Sequence, residues 1–315
     1  MMSLDLSEEN IPITELHNVS VDKVLNQMDQ SMVYLPSYRE LYYRWERQQW
    51  STQDLDFIYD RVHWEDLLPE EQNDFIAALA TFYQGEACVT DALGPYILAV
   101  PDEEMRIFLT TQLVDEARHT VFFDRVFKDV LEIDHGRLED TLAMTRQYMN
   151  KGAQFVLLDS LSDIAERMRK DPHDLKLLIE GVVLYHLVVE GMMGLAGQKT
   201  LLDQYRLENI FPAIRAGLMG VTRDESRHVL FGVRFLRDML AQDANHARVI
   251  EAALSKYGPG ALEALTPPQE RIEILRSQNE DPWKSPRYAR ESLRKKLKVI
   301  GLNIDLAFLP TLPAL

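Results

Sequence analysis

The sequence predicts an all-α protein organised around four long helices. Apolar residues recur with the 3.6-residue period of amphipathic helices in most segments, and few segments alternate with period two. The 46% hydrophobic and 27% charged residues are ordinary for a globular protein, and 315 residues can bury a substantial core. No Gly/Ser-rich linker or low-complexity tract divides the sequence. We therefore expect one domain spanning residues 1–315.

This domain has three predicted parts. They are a less regular N-terminal arm (1–68), a core bundle (69–240), and C-terminal helices with a loose or packed-back tail (241–315). Besides the four long helices, we expect further helices at 137–169 and 284–299, and a weaker one at 244–258. Prolines punctuate the predicted connections at positions 101, 172, 212, 259, 267 and 268.

Charge and cysteine content exclude several classes of function. The net charge of −16 argues against nucleic acid or an anionic membrane as the main partner, because both favour a surplus of Lys and Arg. The apolar run at 181–197 is short for a membrane span and contains His186 and Glu190, so a buried helix is predicted. Cys88 is the single cysteine, and the acidic N-terminus lacks an apolar signal region. These features favour a reducing, cytoplasmic location.

A pentad occurs twice, as DEARH at 115–119 and as DESRH at 224–228. In each copy Glu and His are three residues apart, so they project from one face of a helix. Both pairs interrupt the apolar stripe that should face the core, where an unpartnered carboxylate is costly. By itself this spacing is also typical of a salt-bridged core pair. The similar pair Glu132 and His135 lies beside Gly136, off any clear stripe, and we interpret it as chance.

Two further glutamates complete a pattern. Glu86 interrupts the apolar stripe of the first long helix, and Glu190 interrupts the third, which is apolar nearly all round. Four successive helices therefore present Glu, Glu-x-x-His, Glu and Glu-x-x-His, which is the ligand pattern of a dinuclear metal site in a ferritin-like four-helix bundle. Carboxylates bridge and neutralise two cations, and each imidazole adds a neutral ligand. The predicted ligands are Glu86, Glu116, His119, Glu190, Glu225 and His228.

The first residue of each pentad is a candidate partner for a ligating histidine, which usually donates its second N–H to a carboxylate. We expect Asp224 to hold His119 across the helix pair. For either aspartate the alternative is a solvated surface charge or an ordinary salt bridge with Arg118 or Arg227, and this alternative has more weight for Asp115 than for Asp224.

At this point the sequence resembles a known family. The stretches RWERQQWSTQDLDFIYDRVHWEDLLPEEQNDF, GEACVT, DEARH, YHLVVEG and DESRH are similar to the small subunit of ribonucleotide reductase and its relatives, over residues 40–240. Phe123 stands where that subunit usually has its radical-bearing Tyr, and the tail AFLPTLPAL lacks the Tyr that passes the radical to the large subunit. Trp50 matches a tryptophan that reductase subunits use for electron transfer through Asp224 and His119. The ligand-binding relatives of those subunits also keep it, so it does not discriminate between the two.

The surroundings of Glu86 and Glu190 resemble a different branch of the family, the ligand-binding oxidases. In that branch a Val three residues after the first Glu is joined by an ether bond to a Tyr five residues before the third-helix Glu. Val89 and Tyr185 occupy these positions. The resemblance implies a manganese/iron centre or two iron ions, dioxygen activation, a long-chain fatty acid or other hydrophobic ligand, and a homodimer. It implies a manganese side of Glu86, Glu116 and His119, and an iron side of Glu190, Glu225 and His228.

Helix geometry tests one part of this resemblance. Five residues at about 100° each leave Tyr185 about 140° from Glu190 on an α-helix. A π-type distortion would bring residues i and i+5 to one face. We therefore predict such a distortion between Tyr185 and Glu190. His186, the neighbour of Tyr185, is expected to be a core histidine whose ring is hydrogen-bonded.

Two other functions stay open. One is a reductase small subunit of the subclass that carries Phe at the radical position, which would deliver a radical to a large subunit. The other is an oxygenase acting on a biosynthetic amine or acyl substrate. Some such N-oxygenases have a third His one turn before the fourth-helix Glu, where this sequence has Val221.

Overall fold

The computed structural model describes residues 11–313, and these residues form helices and no strand. The α-helices are α1 (Val21–Val33), α2 (Tyr38–Arg47), α3 (Ile58–Asp66), α4 (Pro69–Ala99), α5 (Glu103–Arg125), α6 (Leu138–Thr145), α7 (Lys151–Ala153), α8 (Leu161–Lys170), α9 (Leu175–Val182), α10 (Leu195–Leu207), α11 (Pro212–Gln242), α12 (His246–Ala264), α13 (Gln269–Ser277) and α14 (Lys284–Ile300). Three π-helical segments are Val126–Val130, Gln154–Ser160 and Val183–Gly194, and 3-10 turns lie at Ile13–Asn18, Thr52–Asp54, Arg146–Tyr148 and Leu306–Phe308.

Four helices form the central bundle, which confirms the predicted all-α, ferritin-like fold class. They are α4, α5, the continuous helix from α9 through its π segment to α10, and α11; α4 packs along α5, and the π segment packs along α11. Pro69 begins α4, where a missing N–H costs nothing. Asp102 caps α5 by accepting hydrogen bonds from the N–H groups of Glu104 and Met105.

The third bundle helix is the apolar one. Across Leu175–Leu207 it is long and apolar enough to cross a membrane, but 89% of its most apolar window is buried inside the protein. Its apolar residues thus face other helices of the bundle. This confirms the prediction of a buried helix.

The outer segments differ from the sequence prediction. Residues 1–10 of the predicted N-terminal arm lie outside the described residues. From residue 11 the arm is more regular than predicted, since it contains α1, α2 and α3, and these short helices are stabilised mainly by packing their apolar sides on the bundle. Pro259 lies inside α12 and does not end it. Helix α13 was not predicted from the sequence. The predicted helical region 137–169 is divided in the structure at residues 149–150.

The C-terminal tail packs back against α12, which is one of the two arrangements predicted for it. Leu306 and Leu309 are buried, and Phe308 and Leu309 lie against Gly258 of α12. Ala314 and Leu315, which belong to the predicted tail, lie outside the described residues.

Candidate metal centre

The structure brings all six predicted ligands together in the middle of the bundle. Glu86 comes from α4, Glu116 and His119 from α5, Glu190 from the π segment, and Glu225 and His228 from α11. All six are at least 95% buried. Glu132 and His135, the pair interpreted as chance, lie exposed in a loop outside this cluster.

The cluster divides into two overlapping groups, each with four ligand atoms within 4.8 Å of one another. The first group is Glu86, Glu116, His119 and Glu225, and the second is Glu116, Glu190, Glu225 and His228. Glu116 and Glu225 belong to both groups. Two carboxylates shared between two four-ligand groups are the arrangement that a carboxylate-bridged dinuclear centre requires.

Burial acts against the ionised forms of these carboxylates. It raises the pKa of Glu86 to about 7 and the pKa of Glu190 to about 8, although the adjacent histidines oppose the shift. It also raises the pKa of Glu225 well above the ordinary value, with help from the charges of Glu190 and Glu116. For Glu116 burial has the same sign, but the adjacent imidazoles of His119 and His228 outweigh it and hold the pKa well below its ordinary value. Protein groups alone thus leave the cluster short of positive charge.

The unpaired oxygen atoms fit two metal ions. Oε2 of Glu116, Oε2 of Glu190 and Oε2 of Glu225 are buried without a hydrogen-bond partner, even though His119 Nδ1 lies 3.4 Å from Glu116 Oε2. A buried carboxylate oxygen without a partner is costly, and a bound cation removes that cost. The mixed oxygen and nitrogen donor set suits manganese and iron alike. The described residues therefore contain a buried carboxylate and histidine cluster able to bind a dinuclear metal centre.

Each histidine is held by the aspartate of the other pentad. His119 Nε2 lies 3.1 Å from Asp224 Oδ2, as predicted, and His228 Nε2 lies 3.2 Å from Asp115 Oδ2. This leaves the Nδ1 atoms of both rings directed at the glutamates. The repeated pentad is therefore explained by reciprocal support between α5 and α11.

The position of Asp115 corrects the sequence interpretation. Asp115 is 1% exposed, and it pairs with both of the arginines named as candidate partners, Arg118 and Arg227, but it also holds His228. Arg227 donates hydrogen bonds to Asp115 at 3.0 Å and to Asp224 at 2.6 Å, so one buried guanidinium bridges both aspartates, and Arg118 adds a second positive charge beside them. A surface salt bridge was expected because the sequence does not reveal that this side of α5 packs on α11.

Two tryptophans extend the aspartate contacts. Trp50 Nε1 donates to Asp224 Oδ2 at 2.8 Å, the same oxygen that His119 contacts. Trp45 Nε1 donates to Asp115 Oδ1 at 3.0 Å. The family resemblance indicated Trp50 only. The sequence analysis missed Trp45. The available signal was a second tryptophan in the same arm, five residues before Trp50.

The predicted π distortion is confirmed. Residues Val183–Gly194 are π-helical, and Tyr185 and Glu190 both point into the cluster. The Tyr185 hydroxyl donates to Glu116 Oε1 at 2.9 Å. Gln112 was missed by the sequence analysis: it donates to Glu190 Oε1 at 2.9 Å and its own Oε1 lies 3.2 Å from His186 Nε2.

His186 is only partly satisfied, because its Nδ1 has no hydrogen-bond partner. Burial lowers its pKa to about 3, so the ring is neutral, and its Nε2–H donates to the Gln112 Oε1. Gln112 lies one helical turn before Glu116, on the same inward stripe, which was the signal that could have identified it.

The end of the π segment is supported by a buried lysine. At the last π turn the Leu195 N–H donates to the Glu190 carbonyl, five residues earlier. Because α spacing resumes after this bond, the backbone hydrogen-bond pattern skips the carbonyl of Gly191. Ser292 Oγ and Lys296 Nζ of α14 each donate to that carbonyl at 3.3 Å. Lys296 is fully buried and was missed, although a charge on the apolar stripe of the predicted 284–299 helix was a visible signal.

A cavity of about 1210 Å³ opens over the cluster. Its inner wall includes Glu86, Glu116, Glu190 and Glu225, and Val89 lies beside them, one turn after Glu86. Phe82, Leu157, Val189, Met193 and Leu201 add apolar surface. The cavity thus joins the four glutamates to a mostly apolar space.

Comparisons with known proteins agree with this fold. The sequence model of the family "Ribonucleotide reductase, small chain" matches residues 31–256. Among solved structures, a variant of an R2-like ligand-binding oxidase with an aerobically reconstituted Mn/Fe cofactor superposes with a TM-score of 0.74 at 22% identity, covering 84% of this chain and 94% of the other. A variant with an anaerobically reconstituted Mn/Fe cofactor superposes with a TM-score of 0.73 at 22% identity, covering 84% of this chain and 93% of the other. Another variant, with a non-activated Mn/Mn cofactor, has the same TM-score, identity and coverages as this second structure.

Proposed function

This chain belongs to the ribonucleotide reductase small chain family, and from that premise we propose that it is a dinuclear metal oxidase that activates dioxygen. The observation that carries the proposal is the pair of four-ligand groups sharing Glu116 and Glu225, with three buried carboxylate oxygens left unpaired. The bound metals would supply the binding and reduction of dioxygen. Similar structures that hold an Mn/Fe cofactor support manganese and iron, with two irons as the alternative.

The proposed ligand assignment follows the two helix pairs. Glu86, Glu116 and His119 would hold manganese, and Glu190, Glu225 and His228 would hold iron. Glu116 and Glu225 are placed to contact both ions, since each contributes to both groups. Asp224 and Asp115 keep the Nδ1 atoms of the two histidines available by fixing the opposite nitrogen.

We further propose an ether bond between the Tyr185 oxygen and the Val89 Cβ. Its formation removes the phenolic hydrogen and the Cβ hydrogen, and dioxygen takes up the two electrons and two protons. The hydrogen bond from Tyr185 to Glu116 supports this proposal, because the carboxylate can receive the phenolic proton. Val89 is buried and borders the same cavity.

The cavity supports a hydrophobic ligand, for which a long-chain fatty acid or another elongated apolar molecule is the proposed class. Its volume of about 1210 Å³ exceeds the ordinary range for small-molecule pockets. The family resemblance also supports a homodimer, and the single Cys88 supports a reducing, cytoplasmic location.

A second candidate is a reductase small subunit, which would use a connection that the ligand-binding relatives also keep and that therefore favours neither function. Trp50, Asp224 and His119 form a hydrogen-bonded connection from the N-terminal arm to the cluster. In this function it would carry an electron between a large subunit and the metals. Phe123 is fully buried where the usual radical Tyr would stand, which restricts this candidate to the Phe-bearing subclass.

The deciding experiment is peptide mass spectrometry of protein loaded with manganese and iron under nitrogen, before and after exposure to air. The oxidase predicts two metals per chain and a new peptide pair joining Val89 to Tyr185, lighter by two hydrogens. Bound and oxidised metals with separate peptides would refute the ether bond. Stable co-purification with a reductase large subunit would then favour the second candidate.

A further inference from the structure

Two oxidisable rings of α2 lead from the protein surface to the metal cluster. Trp45 Nε1 donates to Asp115 Oδ1 at 3.0 Å, and the other oxygen of this carboxylate lies 3.2 Å from His228 Nε2. On its outer side the Trp45 ring meets Tyr42, one turn earlier in the helix, with 5.9 Å between the ring centroids. Tyr42 is half-exposed, so the contacts run without a gap from solvent to a predicted metal ligand.

Tyr42 has its own proton acceptor. Its hydroxyl is hydrogen-bonded to the carboxylate of Glu46, one turn later in α2, and this hydrogen bond raises the pKa of the phenol. Tyr42 is therefore neutral until it is oxidised. A phenol that has lost an electron is a strong acid, and a carboxylate already hydrogen-bonded to it can take the proton at once. Glu46 is exposed, so it can release that proton to water.

The tryptophan on the other side of the centre has different surroundings. The guanidinium of Arg118 lies 5.1 Å from the ring centroid of Trp50. This cation opposes the loss of an electron from the ring, because an oxidised indole is itself positive. The rings beside Trp50 are those of His119 and Phe122, which are harder to oxidise than a phenol. Of the two tryptophans that contact the pentad aspartates, Trp45 is thus the one whose ring contact leads to a tyrosine.

From these contacts we propose an electron-transfer route from Tyr42 through Trp45 to the His228 side of the metal centre. The inference rests on the proposed function, because the oxidised centre is the electron acceptor. Trp45 gives one electron to that centre. Tyr42 then gives one electron to Trp45, and its O–H bond breaks as the proton passes to Glu46. A one-electron reductant in solution, such as ascorbate, returns an electron and a proton to Tyr42.

This route resets a centre that has been oxidised when no ligand is present to react. One passage moves one electron inward and one proton outward, and it leaves every residue of the route unchanged after the reductant has acted. The residues are electron carriers and do not touch the ligand cavity: Trp45 and Tyr42 lie on α2, outside the set that lines it.

The test follows the radical that the route leaves on Tyr42. Full-length protein is loaded with manganese and iron under nitrogen, mixed with air-saturated buffer without ligand or reductant, and frozen for electron paramagnetic resonance. We expect a radical signal that narrows when the protein contains ring-deuterated tyrosine and disappears when ascorbate is added. Oxidised metals without a tyrosine radical would overturn the inference.

Four variants assign the signal to the route. Tyr42→Phe and Trp45→Phe keep an aromatic ring in place, and each should abolish the radical and prolong the oxidised state of the metals in ascorbate. Trp50→Phe changes the tryptophan on the other side of the centre and should retain the radical. Tyr34→Phe removes the hydroxyl of an exposed tyrosine just before α2 and should also retain it. A signal that survives in Trp45→Phe, with both metals bound, would contradict the route.

Hydrogen peroxide separates this inference from the proposed function. Added to the metal-loaded protein under nitrogen, it oxidises the metals without requiring dioxygen activation, so the route is tested by itself. A Tyr42 radical with peroxide, but no oxidation of the metals in air, would leave the inference standing while dioxygen activation failed. Metals oxidised in air without a radical on Tyr42 would do the reverse.

Discussion

The Tyr185 hydroxyl donates a 2.9 Å hydrogen bond to Glu116, the α5 carboxylate shared by both four-ligand groups. This contact depends on the π segment, because on an α-helix Tyr185 would be turned away from the face that carries Glu190. The phenol is fully buried, and burial holds its pKa well above the ordinary value. Tyr185 therefore meets the cluster as a neutral hydrogen-bond donor.

The first prediction concerns this hydroxyl. Tyr185→Phe should abolish the loss of two hydrogens on exposure to air while two metals remain bound. It should also lower the free energy of unfolding by about 1 kcal/mol, because Glu116 loses one donor but retains His228 at 3.3 Å. Intact-mass measurement and thermal unfolding test the two effects. Tyr96→Phe, which removes a buried hydroxyl bonded to the Gly181 carbonyl, is the matched control and should keep the mass change.

The second prediction separates the two sides of the centre. Asp224→Asn should weaken metal binding on the His119 side, and Asp115→Asn should weaken it on the His228 side, each by roughly 10–100-fold. The reason is that each aspartate fixes one imidazole. Metal titration followed by electron paramagnetic resonance reports the two sites separately. Equal loss at both sites in both variants would contradict reciprocal support.

The third prediction is a pH dependence. Unfolded glutamates ionise near pH 4.3, whereas burial raises the pKa of Glu86 to about 7 and of Glu190 to about 8. Between these values the folded metal-free protein binds more protons than the unfolded chain, so its stability falls as pH rises. Metals compete with the same protons, so metal affinity should increase from pH 6 to pH 8 and then level off. Melting temperatures of the metal-free and loaded protein should therefore diverge across this range.

Glu190→Gln provides the check on that dependence. The variant cannot ionise at this position, so the fall in metal-free stability between pH 7 and pH 8 should become shallower. A profile identical to that of the unmodified protein would show that Glu190 does not titrate in this range.

The fourth prediction concerns the carbonyl of Gly191. Ser292→Ala leaves Lys296 as one donor, whereas the double variant Ser292→Ala with Lys296→Met leaves none. The double variant should increase amide hydrogen exchange in the π segment, because a buried carbonyl without a partner costs roughly 1–3 kcal/mol. Ser292→Ala alone should change exchange much less. Comparable exchange in both variants would indicate that Lys296 does not support the π segment.

Much of the bundle could be predicted from the sequence, because a buried helix face gives a periodic pattern of apolar residues. Glu86 and Glu190 were identifiable since each interrupts an apolar stripe. The arm before residue 69 was less readable: α1, α2 and α3 are 9–13 residues long, and helices of that length are stabilised by packing more than by their own sequence. Pro259 was read as a break, yet α12 continues through it.

The sequence by itself determined which ligand types lie on which helix faces, because residues three and four apart share one side of a helix. Together with the family resemblance, which singled out Tyr185, the five-residue spacing of Tyr185 and Glu190 also indicated the π distortion. Only the tertiary structure decided which faces meet. Asp115 with His228 and Lys296 with Gly191 join residues from different helices. Helical periodicity fixes the direction of a side chain around its own axis, whereas its partner depends on how separate helices pack.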